Sequence, residues 1–273
     1  MYQVIKVLNN NGIIAEKNDV EYIFLGKGIG FHHKAGECFE SLDEAKVYRL
    51  EDKQNNKDPM SALNNVDPLF IDISNAIILE AEKKFGTIDT KILLPLADHI
   101  EFSLERQKNN VVISNPFSGE IKALFEEEYQ VAIKAKDIIK EYTGVDIKDE
   151  EIGYITLHIH SALTEENVTN SMSVVIWVKQ MIEDIEDKYQ VRLNKDSLSY
   201  NRLMTHIKYM ITRVLKGEDL KVDMSLYVKN EFPESFEVAK ELCKKLSKEV
   251  SKEFSEVEVG YLAIHIERVR MMN

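Results

Sequence analysis

The sequence predicts a multi-domain chain: a small all-β antiparallel N-terminal domain at residues 1–55, then two homologous all-α helical bundles at 66–170 and 172–273. Three observations predict this. Short β-rich runs separated by turn-forming residues fill much of the first fifty positions. After residue 66 the apolar period lengthens to that of amphipathic helices. Finally, one segment of the helical part repeats another at a constant offset of 107 residues. A length of 273 residues fits more than one domain.

The β part is read from Val4–Leu8, Gly12–Ala15 and Tyr22–Leu25, with Ala45–Leu50 as a fourth strand. Turn-forming Asn9-Asn10-Asn11 and Lys17-Asn18-Asp19 separate the first three. Fifty residues make a small core, so a second copy of the chain is expected to stabilise this domain. The polar stretch Glu51–Asp67 then reads as a linker.

Phe70, Ile73, Ile77, Ala81 and Phe85 fall at helical spacing, and Gly86 is placed to end that helix. Pro95 suits a first helical turn, where its missing N–H costs little. Ile121, Leu124, Phe125, Tyr129, Ala132, Ile139 and Tyr142 trace one further stripe, stopped by Gly144. In the next helix Tyr154, His158 and Ala162 share a face, while Ile152, Ile155 and Ile159 line the core side.

The repeat sets Glu151-Ile-Gly-Tyr-Ile-Thr-Leu-His-Ile159 against Glu258-Val-Gly-Tyr-Leu-Ala-Ile-His-Ile266. The same register carries Leu96 to Leu203, His99 to His206, Phe102 to Tyr209 and Arg106 to Arg213. Each copy is expected to be a compact bundle with short loops.

Composition removes several classes of function. A net charge of −12 argues against coating DNA non-specifically, which needs many cations on one face. The first fifty residues hold six basic and seven acidic side chains, so almost all of the deficit lies beyond them. Contact with nucleic acid is therefore expected in the N-terminal domain, through local contacts. No apolar run approaches the ~18 residues of a membrane span, and MYQVIKVLNN lacks a signal-peptide core. Two cysteines, Cys38 and Cys243, make neither a disulfide framework nor a zinc cluster. A reducing cytoplasm without membrane insertion is the expected setting.

Four histidines occupy matched positions: His99 and His158 in the first copy, His206 and His265 in the second. Arg106 and Arg213 follow the first histidine of each pair by seven residues, two turns on along one face. A neutral imidazole can take up a phosphoryl group, and a guanidinium on the same face can hold the phosphate. The plain alternative is a set of hydrogen-bonded core histidines copied by duplication. Against it, Asp98/Thr205 and Thr156/Ala263 have drifted while both pairs persist.

Other motifs are weaker. His158 and His160 stand two apart on a helix, so their rings diverge, and no HExxH or cysteine ligand set exists. No metal and no cofactor are expected. Gly26-Lys-Gly-Ile-Gly30 looks like a dinucleotide loop only superficially, since no βαβ unit follows. Its glycines serve either a turn or a close backbone approach. His32 and His33 read as surface residues.

In combination, KVLNNN and GKGIGF, then DHIEFSLER and GYITLHI, then THIKYMITR and GYLAIHI resemble the BglG/SacY family of bacterial antiterminators. The resemblance spans essentially the whole chain. It implies an N-terminal co-antiterminator RNA-binding domain that dimerises and holds a leader-mRNA hairpin, so that a competing terminator cannot form. It also implies two phosphotransferase-system regulation domains (PRDs), whose histidines receive phosphate from the phosphocarrier HPr and a sugar-specific enzyme II. His99, His158, His206 and His265 match those histidines. Lys6, Asn9, Asn10, Asn11, Gly26, Lys27, Gly28 and Phe31 match the RNA-binding pattern. Lysines can meet phosphates, asparagines can bond base edges, and Phe31 can stack on an unpaired base. Lys27 stands where such proteins often carry Arg, which loses a planar bidentate fork.

The resulting expectation is an RNA-binding antiterminator of a sugar-utilisation operon, homodimeric, not an enzyme, and switched by histidine phosphorylation. The rival is a PRD-containing phosphoryl carrier or DNA-binding regulator. A DNA reader would need a helix-turn-helix or a basic N-terminal face, and a carrier would need no β domain.

Overall fold

The computed structural model describes residues 1–50, 66–111, 114–164, 166–195 and 197–271. Most of the expected linker, residues 51–65, lies outside the described residues.

The N-terminal sheet has five strands: β1 (Tyr2–Asn9), β2 (Gly12–Lys17), β3 (Val20–Leu25), β4 (Cys38–Phe39) and β5 (Lys46–Leu50). Their order is β4-β1-β2-β3-β5 and each neighbouring pair is antiparallel. β4 was not foreseen, because two residues carry no periodicity. A single helical turn, α1 (Ile29–His32), follows β3 and was also not foreseen.

Alternation along the strands gives the sheet two apolar faces. One carries Val4, Ile13, Ala15 and Phe24, closed by Ile29 and by the rings of Tyr2 and Phe39. Tyr2 meets Phe24 edge-on at 5.0 Å and stacks on Phe39 at 5.4 Å. The other carries Ile14, Ile23, Leu25 and Tyr48, which join one continuous core with Ile71, Ile78, Ile92 and Leu96 of the first helical bundle. Burial of that face thus needs no second copy of the chain.

The first bundle is built from α2 (Pro68–Phe85), a 3-10 turn (Thr90–Ile92), α3 (Leu93–Lys108), α5 (Glu126–Thr143) and α6 (Asp149–Thr164). Asp67 caps α2 by accepting from the Leu69 N–H at 2.9 Å, with Pro68 in the first turn. Gly86, at φ 79, ends it.

The stripe from Ile121 to Tyr142 is not one helix. It breaks at Phe125 into α4 (Ser118–Leu124) and α5. Phe125 is buried at φ −133, ψ 47, with its ring 4.0 Å from that of His160. The second copy breaks identically, at Phe232 with φ −131, ψ 57.

The second compact unit comprises residues 119–124 of α4 with α7 (Val168–Tyr189), α8 (Leu198–Lys216), α9 (Ser225–Glu231), α10 (Pro233–Val250) and α11 (Glu256–Arg270). Leu203, Ile207, Met210, Phe236, Ala239, Leu262 and Ile266 are fully buried in it. Ser197 and Ser255 cap α8 and α11. α4 is held here by Lys195, whose ammonium lies 3.4 Å from Glu120, and by Lys208, which donates to the Leu124 carbonyl at 2.8 Å.

Candidate functional site: two histidine pairs and a surface turn

In the first copy, α3 supplies His99 and Arg106, and α6 supplies Glu151, Tyr154 and His158. On α6 these three fall at i, i+3 and i+7 of one face. The His99 and His158 rings stand 5.1 Å apart between centroids, with Tyr154 5.7 Å from His99. The Glu151 carboxylate lies between the two helices: Oε2 is 3.3 Å from His99 Nε2, and Oε1 accepts from the Arg106 guanidinium at 3.0 Å.

The second copy builds the same arrangement on α8 and α11, drawn tighter. His206 and His265 stack at 4.3 Å with 23° between planes, and Tyr261 lies nearly parallel to His206 at 6.1 Å. Arg213 grips Glu258 with two bonds of 2.8 Å, leaving that carboxylate committed to the guanidinium. Both histidines line an open depression of about 430 Å³, together with Arg202, Thr205 and Tyr209.

Burial and neighbouring charge favour the neutral form of His158, His206 and His265. Burial, reinforced by His99, pushes His158 down to about 3. Burial and the neighbouring His265 and Arg213 push His206 down to about 3. His265 falls to about 4 through burial and the charges of Arg268 and Arg202. Burial alone would raise the Glu151 carboxyl, but His99 and Arg106 outweigh it and hold it below the usual range. Both glutamates sit in the first turn of their helices, where the helix dipole favours negative charge. Nδ1 of His158, Nε2 of His206 and Nδ1 of His265 are shut off from solvent without a hydrogen-bond partner among the described residues.

The structure therefore brings each histidine pair together and sets each arginine on a glutamate. Glu151, Glu258, Tyr154 and Tyr261 were not singled out beforehand. Their signal was present, since the 107-residue offset carries Glu151 to Glu258 and Tyr154 to Tyr261. His160 turns away, as its spacing requires, and its Nδ1 sits 2.8 Å from Glu128. Among the described residues no cluster of three metal-ligating side chains forms.

Of the residues expected to touch RNA, Asn9 to Asn11 and Gly26 to Gly28 fall at two turns locked together. The Asn11 carbonyl accepts from the Gly26 N–H at 2.9 Å, its side-chain oxygen from the Gly28 N–H at 3.1 Å, and the Asn10 carbonyl from the Gly30 N–H at 2.9 Å. Gly28 adopts φ 75, which favours glycine. At Gly30 a Cβ would meet the Asn9 carbonyl oxygen at 1.8 Å, so the turns can approach only without a side chain there. Of the two roles open to these glycines, Gly30 serves close approach of the chain to itself.

Phe31 projects from α1 with 72% of its surface exposed, and Lys27 and Asn10 are exposed beside it. Lys6 is exposed on β1, opposite Ile14. Asn9 and Asn11 instead point their amides at α2, donating to Asp72 at 3.0 and 3.2 Å.

Comparison with known proteins accords with this layout. The CAT RNA-binding domain family matches residues 2–57, and the PRD domain family matches twice, at 75–162 and 179–269. Protein GlcT of Staphylococcus haemolyticus is 35% identical, covering 97% of this chain and 95% of its own. The PtsGHI operon antiterminator of Bacillus subtilis is 36% identical, covering 98% and 97%. The crystal structure of GlcT CAT-PRDI is 39% identical with a TM-score of 0.52, covering 60% of this chain and 98% of that one. No described helix is long and apolar enough to cross a membrane. A CAT RNA-binding domain followed by two PRD domains, matched over nearly the full length of such relatives, places this chain in the BglG/SacY family of transcriptional antiterminators.

Proposed function

We propose that this chain binds a leader-RNA hairpin of a sugar-utilisation operon, blocks the competing terminator, and is switched by phosphoryl transfer to its PRD histidines. The observation that carries this reading is the duplication of one constellation: two histidines, His158 buried and the other three half-buried, face each other beside a glutamate–arginine pair, once in each PRD. The unpartnered ring nitrogens count against simple core histidines, which would be hydrogen-bonded.

The donors are the phosphocarrier HPr and a sugar-specific enzyme II, and the active form is a homodimer. The chain itself performs no catalytic reaction in this scheme. Inhibition is assigned to His99 and His158, and activation to His206 and His265. Two features favour the second pair for a stabilised phosphoryl group of about −1.5 to −2 charge. Arg202 and Arg268 act on His265, and no ion pair engages either among the described residues. The first copy has Pro95 and Ser161 at these positions, and Asp98 where the second has Thr205. Arg106 and Arg213 could hold phosphate only by sharing or releasing Glu151 and Glu258.

RNA contact is assigned to the exposed Phe31, Lys27 and Asn10, with Lys6, Asn9, Asn11, Gly26 and Gly28 around them. A DNA-reading alternative is disfavoured by the N-terminal sheet, whose one described helix is a single turn. The test presents the full chain with a pool of RNA hairpins bearing randomised internal loops, and with duplex DNA of equal length. Retention of a hairpin is expected, and Phe31→Ala should weaken it by about 1–3 kcal/mol if the ring stacks on a base. Equal affinity for duplex DNA would overturn the reading, as would indifference to Phe31.

A further inference from the structure

Asp72 lies on α2, the first helix of the first PRD, and faces the Asn9–Asn11 turn. One of its oxygens, Oδ2, accepts from both asparagine amides, at 3.0 and 3.2 Å, and Asn9 also reaches the Pro68 carbonyl at 3.4 Å. The acceptor atoms of both asparagines are used as well: Asn9 Oδ1 accepts from the Asn11 N–H at 2.8 Å, and Asn11 Oδ1 from the Gly28 N–H. Each amide is thus bonded through both its oxygen and its nitrogen. Asn9 has both amide N–H groups committed to α2, and both amide planes are fixed against the protein, so a paired donor–acceptor contact to a base edge requires them to turn away from these partners.

The carboxylate adds a second obstacle. It is half-buried behind the turn, and a phosphate backbone reaching Asn9 or Asn11 would meet its negative charge at short range. Burial raises the Asp72 pKa, while the two asparagine amides draw it back by bonding to the ionised form. Removing those amides to RNA would leave the carboxylate poorly compensated.

We propose that Asp72 is a positioning residue for RNA recognition: it holds Asn9 and Asn11 on the first PRD in the RNA-free state and must release them when RNA binds. This rests on the assignment of the Asn9–Asn11 turn to RNA contact made above. It links a PRD helix to the recognition turn through three named side chains, so a change in the first PRD has a direct route to RNA affinity. Only a fraction of free molecules then has the turn available, and the apparent affinity falls by that fraction.

The experiment measures affinity of the full chain for an RNA hairpin selected on the wild type from the randomised pool. Asp72→Ala should bind about five- to tenfold more tightly, and Asp72→Asn, which keeps the shape and loses the charge, should move the same way. Tyr48→Phe is the control, because Tyr48 bonds Asn75 on the same helix at 2.5 Å without touching the turn. It should leave affinity unchanged. In the Asn9→Ala background the gain from Asp72→Ala should shrink, and in the free wild type the Asn9 and Asn11 side-chain amide resonances should shift on Asp72→Asn. Unchanged or weaker binding by both Asp72 variants would overturn the proposal. So would an equal gain from Tyr48→Phe, or a gain independent of Asn9. Failure of the underlying assignment would look different: Phe31→Ala and Asn11→Ala would then leave hairpin affinity unaltered.

Discussion

Single residues carry much of the logic of this chain. Glu151 and Glu258 are buried charges whose partners are Arg106 and Arg213, and burial makes such pairs costly to break on one side only. Glu258→Gln should therefore destabilise the second PRD by about 3 kcal/mol, read as a lowered urea midpoint. Glu258→Gln combined with Arg213→Met should recover part of that loss, since no unpaired cation remains. The histidines make a second prediction. Their folded pKa values of about 3, 3 and 4 lie below the unfolded value of ~6.5, so the unfolded chain binds more protons in that window. Stability is intact above pH 6.5 and falls with pH below it, by up to about 1.4 kcal/mol per pH unit for each histidine that titrates fully. His265 is more open than the others and contributes less. Urea midpoints at pH 7, 6 and 5 should decline in the wild type and decline less steeply in His158→Gln/His206→Gln. Equal slopes would show that these rings do not titrate as placed. Histidine positions and pairing were legible from the 59-residue spacing within each copy. The glutamates escaped because a first-turn Glu also suits an ordinary helix start, and only the partner helix reveals its second use.

Elements were legible where periodicity runs long. The helices found over 68–85 and 149–164 carry the apolar stripes read from the sequence, and Gly86 ends the first of them. Short or non-periodic features were not: β4 has two residues, α1 has four, and the break at Phe125 leaves an apolar stripe unbroken in sequence. In the second copy Pro233 follows the break and disfavours helical geometry at Phe232, which marks the equivalent site in retrospect. The turn element makes its own prediction. Gly30→Ala places a methyl on the Asn9 carbonyl, so the two turns must separate. Hairpin affinity should drop more than tenfold and stability by about 2 kcal/mol, measured by gel shift and urea titration. Gly119→Ala meets open space and should change neither.

At the scale of the whole molecule, the sequence told β from α and found the duplication, but not how the β domain is covered. A small isolated sheet was expected to lean on a second copy. Within a single chain one face already joins the core of the first PRD, through Ile14, Ile23, Leu25 and Tyr48. Nothing in strand periodicity distinguishes the two sources of cover, because both bury the same alternating residues. The consequence is functional: an RNA-binding domain that shares a core with a regulatory one can be influenced by it without a separate signal element. Among the described residues no ion pair engages Arg202 or Arg268 near the second pair, which is why that pair is proposed as the receiver of charge.

Phosphate on His206 and His265 is proposed to turn RNA binding on. The most direct measurement is hairpin affinity of the full chain before and after phosphorylation by HPr, in the wild type and in His206→Ala/His265→Ala, with phosphate located by mass spectrometry and dimer mass followed by sedimentation. Phosphorylation should tighten binding and favour the dimer in the wild type and do neither in the double variant. Phosphate found only on His99 and His158, or an equal response in both proteins, would contradict the account.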